Sequence, residues 1–246
     1  MKTFCHMLCA LVVAMITADV AHAGIQLNAT RVVYSAGERE ASLSMVNNGS
    51  DARLVQAWID SGDISERPEN SKAPFLVTPP MSRVDPGKGQ TLRIMLSDAT
   101  LPQDRESVYW LNVLEIPPKP RQADGGAPQN YVQMAVRTRI KLFYRPKGLV
   151  GTPETAVKNL VWHLRSRGGA SILECTNGTP FNVSFSDVSF KNAPPNMSVS
   201  KGGMCPAKGV AEFPVPGSPN AAAGQLVLTV VNDYGAFVPY EATFSP

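Results

Sequence analysis

Histidine is scarce in this sequence, with three residues in 246. Only His163 lies outside the N-terminal segment, so a metal site built from several imidazoles is not expected. The sequence contains no Gly-x-Ser-x-Gly elbow, phosphate-binding glycine loop or dinucleotide fingerprint. We therefore expect no enzyme, no catalytic residue, no metal and no cofactor. A secreted hydrolase that uses His163 remains the alternative.

Long apolar segments are also missing. The run from Met7 to Ile16 is shorter than the roughly 20 residues that a membrane-spanning helix needs. Lys2 precedes this run and Ala21-His22-Ala23 follows it, which is the pattern of a secretory signal peptide. We expect residues 1–23 to be removed by cleavage after Ala23. A membrane anchor and lipidation at Cys9 are the less favoured alternatives.

Cysteine is limited to four residues, of which Cys5 and Cys9 lie in the predicted signal peptide. The remaining pair, Cys175 and Cys205, favours a disulfide in an exported protein. Such a bridge would close a loop of about 30 residues and stabilise the chain by about 3 to 4 kcal/mol in the chain-entropy model. Two buried free thiols are the alternative.

No long run of like charge is present, and the net charge is only +3. Because the basic residues are scattered, nucleic acid is not an expected partner. A locally basic site for a single anion remains compatible with this distribution.

The sequence does contain many short runs of β-branched, aromatic and aliphatic residues separated by Gly, Pro, Asn and Ser. This pattern predicts an all-β sandwich protein, and about 220 residues after the signal peptide suit two sandwiches of roughly 100 residues each. The predicted domains are 24–146 and 147–246, with a linker near 145–150 where Pro and Gly interrupt the pattern. The candidate strands are 25–33, 40–47, 54–60, 75–78, 90–95, 107–116 and 131–144 in the first domain, and 160–164, 171–175, 181–190, 211–215, 225–232 and 240–244 in the second.

The segment 131–146 alternates strictly between two kinds of side chain. One parity contains Val132, Met134, Val136, Ile140 and Leu142, and the other contains Arg137, Arg139 and Lys141. From the pattern alone, a plain amphipathic core strand is the simplest interpretation.

Several motifs, in order along the chain, resemble one family. They are Thr30-Arg31-Val32-Val33-Tyr34, Phe75-Leu76-Val77-Thr78-Pro79-Pro80, Asp104-Arg105-Glu106-Ser107 followed by Leu111-Asn112 and Ile116-Pro117-Pro118, Ile140-Lys141-Leu142-Phe143-Tyr144-Arg145-Pro146, and Asn232-Asp233-Tyr234-Gly235-Ala236. With these motifs the chain resembles the periplasmic pilus-assembly chaperones. The resemblance implies two immunoglobulin-like β-sandwich domains, set at an angle with a cleft between them.

The resemblance also assigns roles to residues. Arg31 and Lys141 match the pair that binds the C-terminal carboxylate of a pilus subunit in the cleft. The set Val132, Met134 and Val136 matches the edge-strand side chains that enter the subunit's groove. Core packing is the alternative for these three, and solvated strand charges are the alternative for the two basic residues.

Glu106, Arg145 and Asp233 match the family's interdomain salt bridge. We expect this bridge to orient the domains, and we expect little loss of stability on its removal, because exposed ion pairs contribute less than about 1 kcal/mol. Independent surface charges are the alternative.

The implied function is that of a periplasmic chaperone that caps fimbrial subunits by donor-strand complementation and delivers them to an outer-membrane usher. Its expected partners are pilus subunits and the usher, and a self-capping homodimer is left open. The short loop 117–130 and the lack of a cysteine pair in the first domain resemble the subgroup that assembles rod-like pili. An immunoglobulin-like adhesin or structural subunit is the rival, although such a protein would carry a donor-type N-terminal extension.

Overall fold

A computed structural model describes residues 24–97, 101–119, 132–191, 198–215 and 223–246. Its helices are a 3₁₀ turn at Pro68–Asn70 and α1 at Pro153–Lys158. Within the described ranges, no helix is long and apolar enough to cross a membrane. The strands are β1 (Ile25–Leu27), β2 (Arg31–Ser35), β3 (Ala41–Asn47), β4 (Arg53–Asp60), β5 (Phe75–Thr78), β6 (Met81–Val84), β7 (Gly89–Leu96), β8 (Ser107–Ile116), β9 (Val136–Arg145), β10 (Val161–Arg167), β11 (Ala170–Asn177), β12 (Val183–Phe190), β13 (Ser198–Ser200), β14 (Gly203–Cys205), β15 (Gly209–Val215), β16 (Gly224–Val231) and β17 (Phe237–Ser245).

The N-terminal domain is a sandwich of two sheets. One sheet has the strand order β1-β3-β7-β5 and the other has the order β2-β9-β8-β4-β6. The predicted single strand 25–33 is wrong, because the chain leaves the first sheet after Leu27 and enters the second at Arg31. A change of sheet requires a break in the ladder, which the apolar pattern does not reveal.

Alternate side chains of both sheets fill the space between them. The most deeply buried include Leu43, Leu92, Ile94, Leu111 and Leu142. Tyr34 packs against Phe75 and Tyr144 with ring centroids 5.6 and 6.1 Å apart. This core holds β2 and β9 side by side in parallel register.

β9 begins later than predicted. Residues 132–135, just before Val136, form no regular secondary structure, and Tyr131 lies outside the described residues. β8 supplies the ladder partner of β9, and their last pair is Glu115 with Val136. Pro117 and Pro118 follow β8 and cannot donate ladder hydrogen bonds. Residues 132–135 alternate like a strand but have no neighbouring strand to pair with among the described residues.

The C-terminal domain is one continuous sheet that folds over its own core. Its strand order is β13-β12-β16-β17-β10-β11-β15, and β14 also pairs with β12. Trp162 is buried in this core against Phe185 and Phe213, as predicted for a core residue. A disulfide joins Cys175 on β11 to Cys205 on β14 and ties distant parts of the sheet together.

The short helix α1 was not predicted. Thr152 caps its N-terminus by accepting a hydrogen bond from the Thr155 backbone N–H, and Pro153 occupies the first turn. These are ordinary helix-start signals, but the helix has only six residues. A segment this short shows too little periodicity to be recognised in the sequence.

Candidate functional site

Arg31 and Lys141 are neighbours on the N-terminal domain and both reach toward the C-terminal domain. They are directly opposite each other in the β2–β9 register. Arg31 Nη1 donates to the carbonyl oxygen of Val231 at 2.7 Å. Lys141 Nζ donates to Ser184 Oγ at 2.8 Å. The structure therefore brings the two predicted basic residues together where the domains meet.

The two charges are poorly compensated. Burial, together with the adjacent positive charge of Arg31, lowers the pKa of Lys141 from 10.5 to about 8. Burial also lowers the pKa of Arg31, and the charge of Asp233 opposes this effect. In the described part of the chain, neither side chain forms a salt bridge. Such a pair favours an anion between the domains.

A pocket lies beside Arg31. Its walls include Phe143 of β9, Val157 of α1, and Val183 and Val230 of the C-terminal sheet. Arg31 Nε is buried and has no hydrogen-bond acceptor among the described residues. The same pocket is also lined by the carboxylates Glu106, Glu154 and Asp233, and an incompletely paired guanidinium lies at its edge.

Arg145 connects the two domains. Its Nε lies 2.6 Å from Glu106 Oε1 in the same domain, and its Nη1 lies 2.7 Å from Asp233 Oδ2 in the other. A second bond, from Nη2 to Asp233 Oδ1 at 3.1 Å, makes the contact with Asp233 bidentate. The three residues predicted as an interdomain bridge are therefore in direct contact.

Glu106 is not the exposed carboxylate that was expected from the sequence. It is only 5% exposed, and the backbone N–H and side-chain amide of Asn182 donate to its Oε2. Its own backbone N–H donates to the carbonyl oxygen of Pro180. Burial raises the pKa of Glu106, although the charge of Arg145 opposes the shift. The expectation of little stability loss, which rested on exposed ion pairs, therefore does not apply to this residue.

The edge of β9 is open on the N-terminal side of Lys141. β2 begins at Arg31, opposite Lys141, and among the described residues no strand pairs with this edge from Val136 to Ile140. Val132, Met134 and Val136 are 88%, 71% and 51% exposed. Their core-packing alternative is therefore wrong for the isolated chain. Most of the loop 117–130 lies outside the described residues.

Other contributors to the site were missed in the sequence. Ser184 and the carbonyl of Val231 hold the two cleft cations, but nothing in their own sequence context marks them. Arg137 and Arg139 do not extend the basic site, because both contact Asp60 within their own domain. Asp60 is the last residue of an apolar strand. Its position in the sequence could therefore have indicated a buried carboxylate that needs a basic partner.

His163 does not form a catalytic triad. Its Nδ1 lies 3.1 Å from both Ser245 Oγ and the carbonyl oxygen of Pro246. No carboxylate among the described residues hydrogen-bonds the imidazole, so the group that would orient a general base is not found there.

Family models match both halves of the chain. Residues 24–150 match the family described as pili and flagellar-assembly chaperone, PapD N-terminal domain, and residues 155–242 match the pili assembly chaperone PapD, C-terminal domain. The chain belongs to the PapD-like pilus-assembly chaperones. Chaperones of this family are periplasmic and their function is not enzymatic, so the protein is a chaperone and not a hydrolase.

Individual relatives agree with this assignment. The chaperone protein FimB/FhaD of Bordetella pertussis is 39% identical over 232 residues, which cover 93% of this chain and 91% of the relative. The crystal structure of the YadV chaperone has a TM-score of 0.75 at 34% identity, covering 90% of this chain and all of that chain. A chain from the complex of the Salmonella enterica SafA pilin with the SafB chaperone has a TM-score of 0.73 at 29% identity, covering 92% of this chain and 98% of that chain.

Proposed function

We propose that this chaperone caps fimbrial subunits in the periplasm by donor-strand complementation and delivers them to an outer-membrane usher. The observation that carries the proposal is the open β9 edge, which has exposed apolar side chains at and just before its start and ends at two cations that form no salt bridge among the described residues. An edge of this kind is a template for pairing with another chain.

The proposed anchor is the cleft pair of Arg31 and Lys141. A subunit's C-terminal carboxylate would supply a direct anionic partner, since neither residue forms a salt bridge within the described chain and only the more distant charge of Asp233 acts on Arg31. Arg31 offers a planar set of donors and Lys141 a compact ammonium group, which together suit two carboxylate oxygens. Binding there would fix where the subunit's last strand ends.

The proposed donor surface is the set Val132, Met134 and Val136. A strand rises about 3.3 Å per residue, so an extended subunit segment from Lys141 to Val132 covers roughly 30 Å. Main-chain groups of the open edge would complete the subunit's sheet while the three side chains enter its groove. Burying them contributes about 5 to 9 kcal/mol before the costs of association.

The remaining parts of the proposal rest on the sequence. Export with cleavage after Ala23 follows from the pattern of the N-terminal segment. Transfer to the usher follows from the family motifs, and the preference for rod-like pili follows from the short loop 117–130. Free protein has the same open edge, so we include a self-capped homodimer as a second use of β9.

The test replaces two of the exposed side chains, as Met134→Glu and Val136→Glu together. The variant should fold, because both positions are more than half exposed. It should fail to retain a fimbrial subunit co-expressed in the periplasm, because two carboxylates would be buried unpaired in the subunit's groove. Co-purification measures capture, and circular dichroism measures folding.

The matched control is Leu76→Glu with Met81→Glu, which are 57% and 52% exposed on β5 and β6 of the same domain. This control should capture subunits as the wild type does. An unfolded Met134/Val136 variant would show that these side chains are needed for folding and would defeat the donor-strand assignment. Normal capture by a folded variant would place the groove contact elsewhere.

A further inference from the structure

The two faces of the segment 132–141 differ in their contacts with the rest of the chain. The even-numbered residues Val132, Met134 and Val136 are exposed. The odd-numbered residues Gln133, Arg137, Arg139 and Lys141 all donate side-chain hydrogen bonds to other parts of the chain. Upstream of Ile140, which is buried in the core together with Leu142, the even-numbered face is exposed while the odd-numbered face is held by hydrogen bonds.

The strongest of these contacts is made by Arg139. Its Nε and Nη2 lie 2.9 and 2.5 Å from the two carboxylate oxygens of Asp60 on β4. Asp60 is fully buried and also accepts from Asn112 Nδ2 at 2.7 Å. Burial would raise the pKa of Asp60, but the hydrogen bonds from Arg139 and Asn112 outweigh it and lower the pKa. The carboxylate therefore stays charged on β4, which is separated from β9 by β8 in the same sheet.

Arg137 makes a second attachment at the start of the strand. Its Nε donates to Asn112 Oδ1 at 2.8 Å, and its Nη1 donates to the carbonyl oxygen of Ile64 at 2.7 Å. Its Nη2 lies 3.6 Å from Asp60 Oδ2. Because Arg137 follows Val136 directly, these bonds fix the strand beside the exposed donor residue.

Two tryptophans support the guanidinium groups. The Arg137 guanidinium lies 4.8 Å from the ring centroid of Trp58, and that of Arg139 lies 4.1 Å from the ring centroid of Trp110. Stacking on aromatic rings restricts the long arginine side chains and adds cation–π attraction. We call Asp60, Asn112, Arg137 and Arg139, with Trp58 and Trp110, the Asp60 clamp.

From this geometry we infer that the Asp60 clamp is a positioning device that holds the open edge of β9 in the extended conformation required by the partner's strand. Between Val136 and Ile140 the strand has β8 on only one side. A strand with one neighbour loses order easily, and any disorder must be removed when a partner pairs with it. The inference rests on the proposed function and assigns the residues that pre-order the donor edge.

The experiment compares two synthetic peptides that end in the same residues and a free carboxylate. One has about three residues and reaches only the cleft, and the other has about ten alternating apolar and polar residues and extends to Val132. NMR titration gives both affinities for the wild type and for Arg137→Gln. The variant should bind the long peptide about tenfold more weakly and the short peptide unchanged, and amide exchange from Val136 to Ile140 should be about tenfold faster.

Arg137→Lys should recover part of the long-peptide affinity, and Asp60→Asn should repeat the Arg137→Gln pattern wherever it folds. Arg93→Gln is the control, because Arg93 pairs with Glu40 on the other sheet. Equal weakening of both peptides, or unchanged exchange in β9, would overturn the inference. If neither peptide binds the wild type, the proposed function fails, while the exchange measurement still decides whether the clamp orders β9.

Discussion

At the scale of single residues, Arg31 and Lys141 are unusual because both are partly buried and neither forms a salt bridge among the described residues, although the charge of Asp233 acts on Arg31. Lys141 is bonded to a neutral hydroxyl, and its neighbouring charge is repulsive. A buried charge without a counterion is normally disfavoured. The arrangement is reasonable when an incoming carboxylate completes it, which supports the anchor role proposed for the pair.

The depressed pKa of Lys141 makes subunit capture dependent on pH. Near pH 7 the ammonium is mostly protonated, because its pKa is about 8. A bound carboxylate favours the protonated form and raises this pKa, so affinity is full below pH 8 and falls as pH rises above it. We expect about a tenfold loss of affinity for a carboxylate-ended peptide between pH 7 and pH 9, measured by calorimetry.

Two variants test the origin of this pH dependence. Lys141→Arg keeps a charge that does not titrate in this range, so its affinity should be flat between pH 7 and pH 9. Lys141→Ala should remain folded and bind weakly at every pH. A wild-type affinity that stays constant to pH 9 would show that the charge of Lys141 does not contribute to binding.

The residues of the site were predictable to different degrees. Arg31 and Lys141 were identified by resemblance, since spacing alone favours solvated strand charges. The Asp60 clamp was not predicted, because Asp60 and Arg139 are 79 positions apart in the sequence. Alternation shows that Arg139 lies on the face opposite Ile140, but it cannot show what that face contacts.

At the scale of elements, alternating hydrophobicity predicted most strands but not where they end. β9 begins at Val136 because β8 supplies its last ladder partner at Glu115. The split between β1 and β2 was missed for a similar reason, because a change of sheet leaves the apolar pattern intact. Pairing is set by neighbours in space, which a single sequence does not specify.

The disulfide between β11 and β14 is the covalent link of the C-terminal domain. Replacing both Cys175 and Cys205 with Ala should lower the free energy of unfolding of this domain by about 3 kcal/mol, because the unfolded chain loses a closed loop. Urea unfolding followed by tryptophan fluorescence measures the change, with Trp162 reporting on this domain and Trp58 and Trp110 on the other. Reduced wild-type protein should match the variant, and equal stability of the oxidised and reduced forms would contradict the prediction.

At the scale of the whole molecule, the cleft depends on how the domains are joined. Arg145 binds Glu106 and Asp233, and the turn at Gly235 packs so closely on Thr30 that a side chain there would collide with it. Gly235 also has a positive φ of 83°, which favours glycine. These contacts place Val231 and Ser184 opposite the two cleft cations.

Arg145→Met should therefore destabilise the protein and weaken subunit capture together. The variant leaves Glu106 buried without its charged partner, which costs about 3 kcal/mol for a buried pair. It also frees the domains to change orientation, so Arg31 and Lys141 would no longer converge on one carboxylate. Thermal unfolding measures stability, small-angle X-ray scattering measures domain orientation, and peptide titration measures the anchor.

The control is Lys208→Met, which removes another interdomain ion pair, between Lys208 and Asp104 at 2.8 Å. Both of these side chains are exposed, so its loss should cost less than about 1 kcal/mol and leave capture unchanged. Both variants break a salt bridge between the two domains. A larger loss of stability in Arg145→Met would therefore be caused by the burial of Glu106. If Arg145→Met were as mild as Lys208→Met in stability and scattering, the Glu106–Arg145–Asp233 bridge would not set the geometry of the cleft.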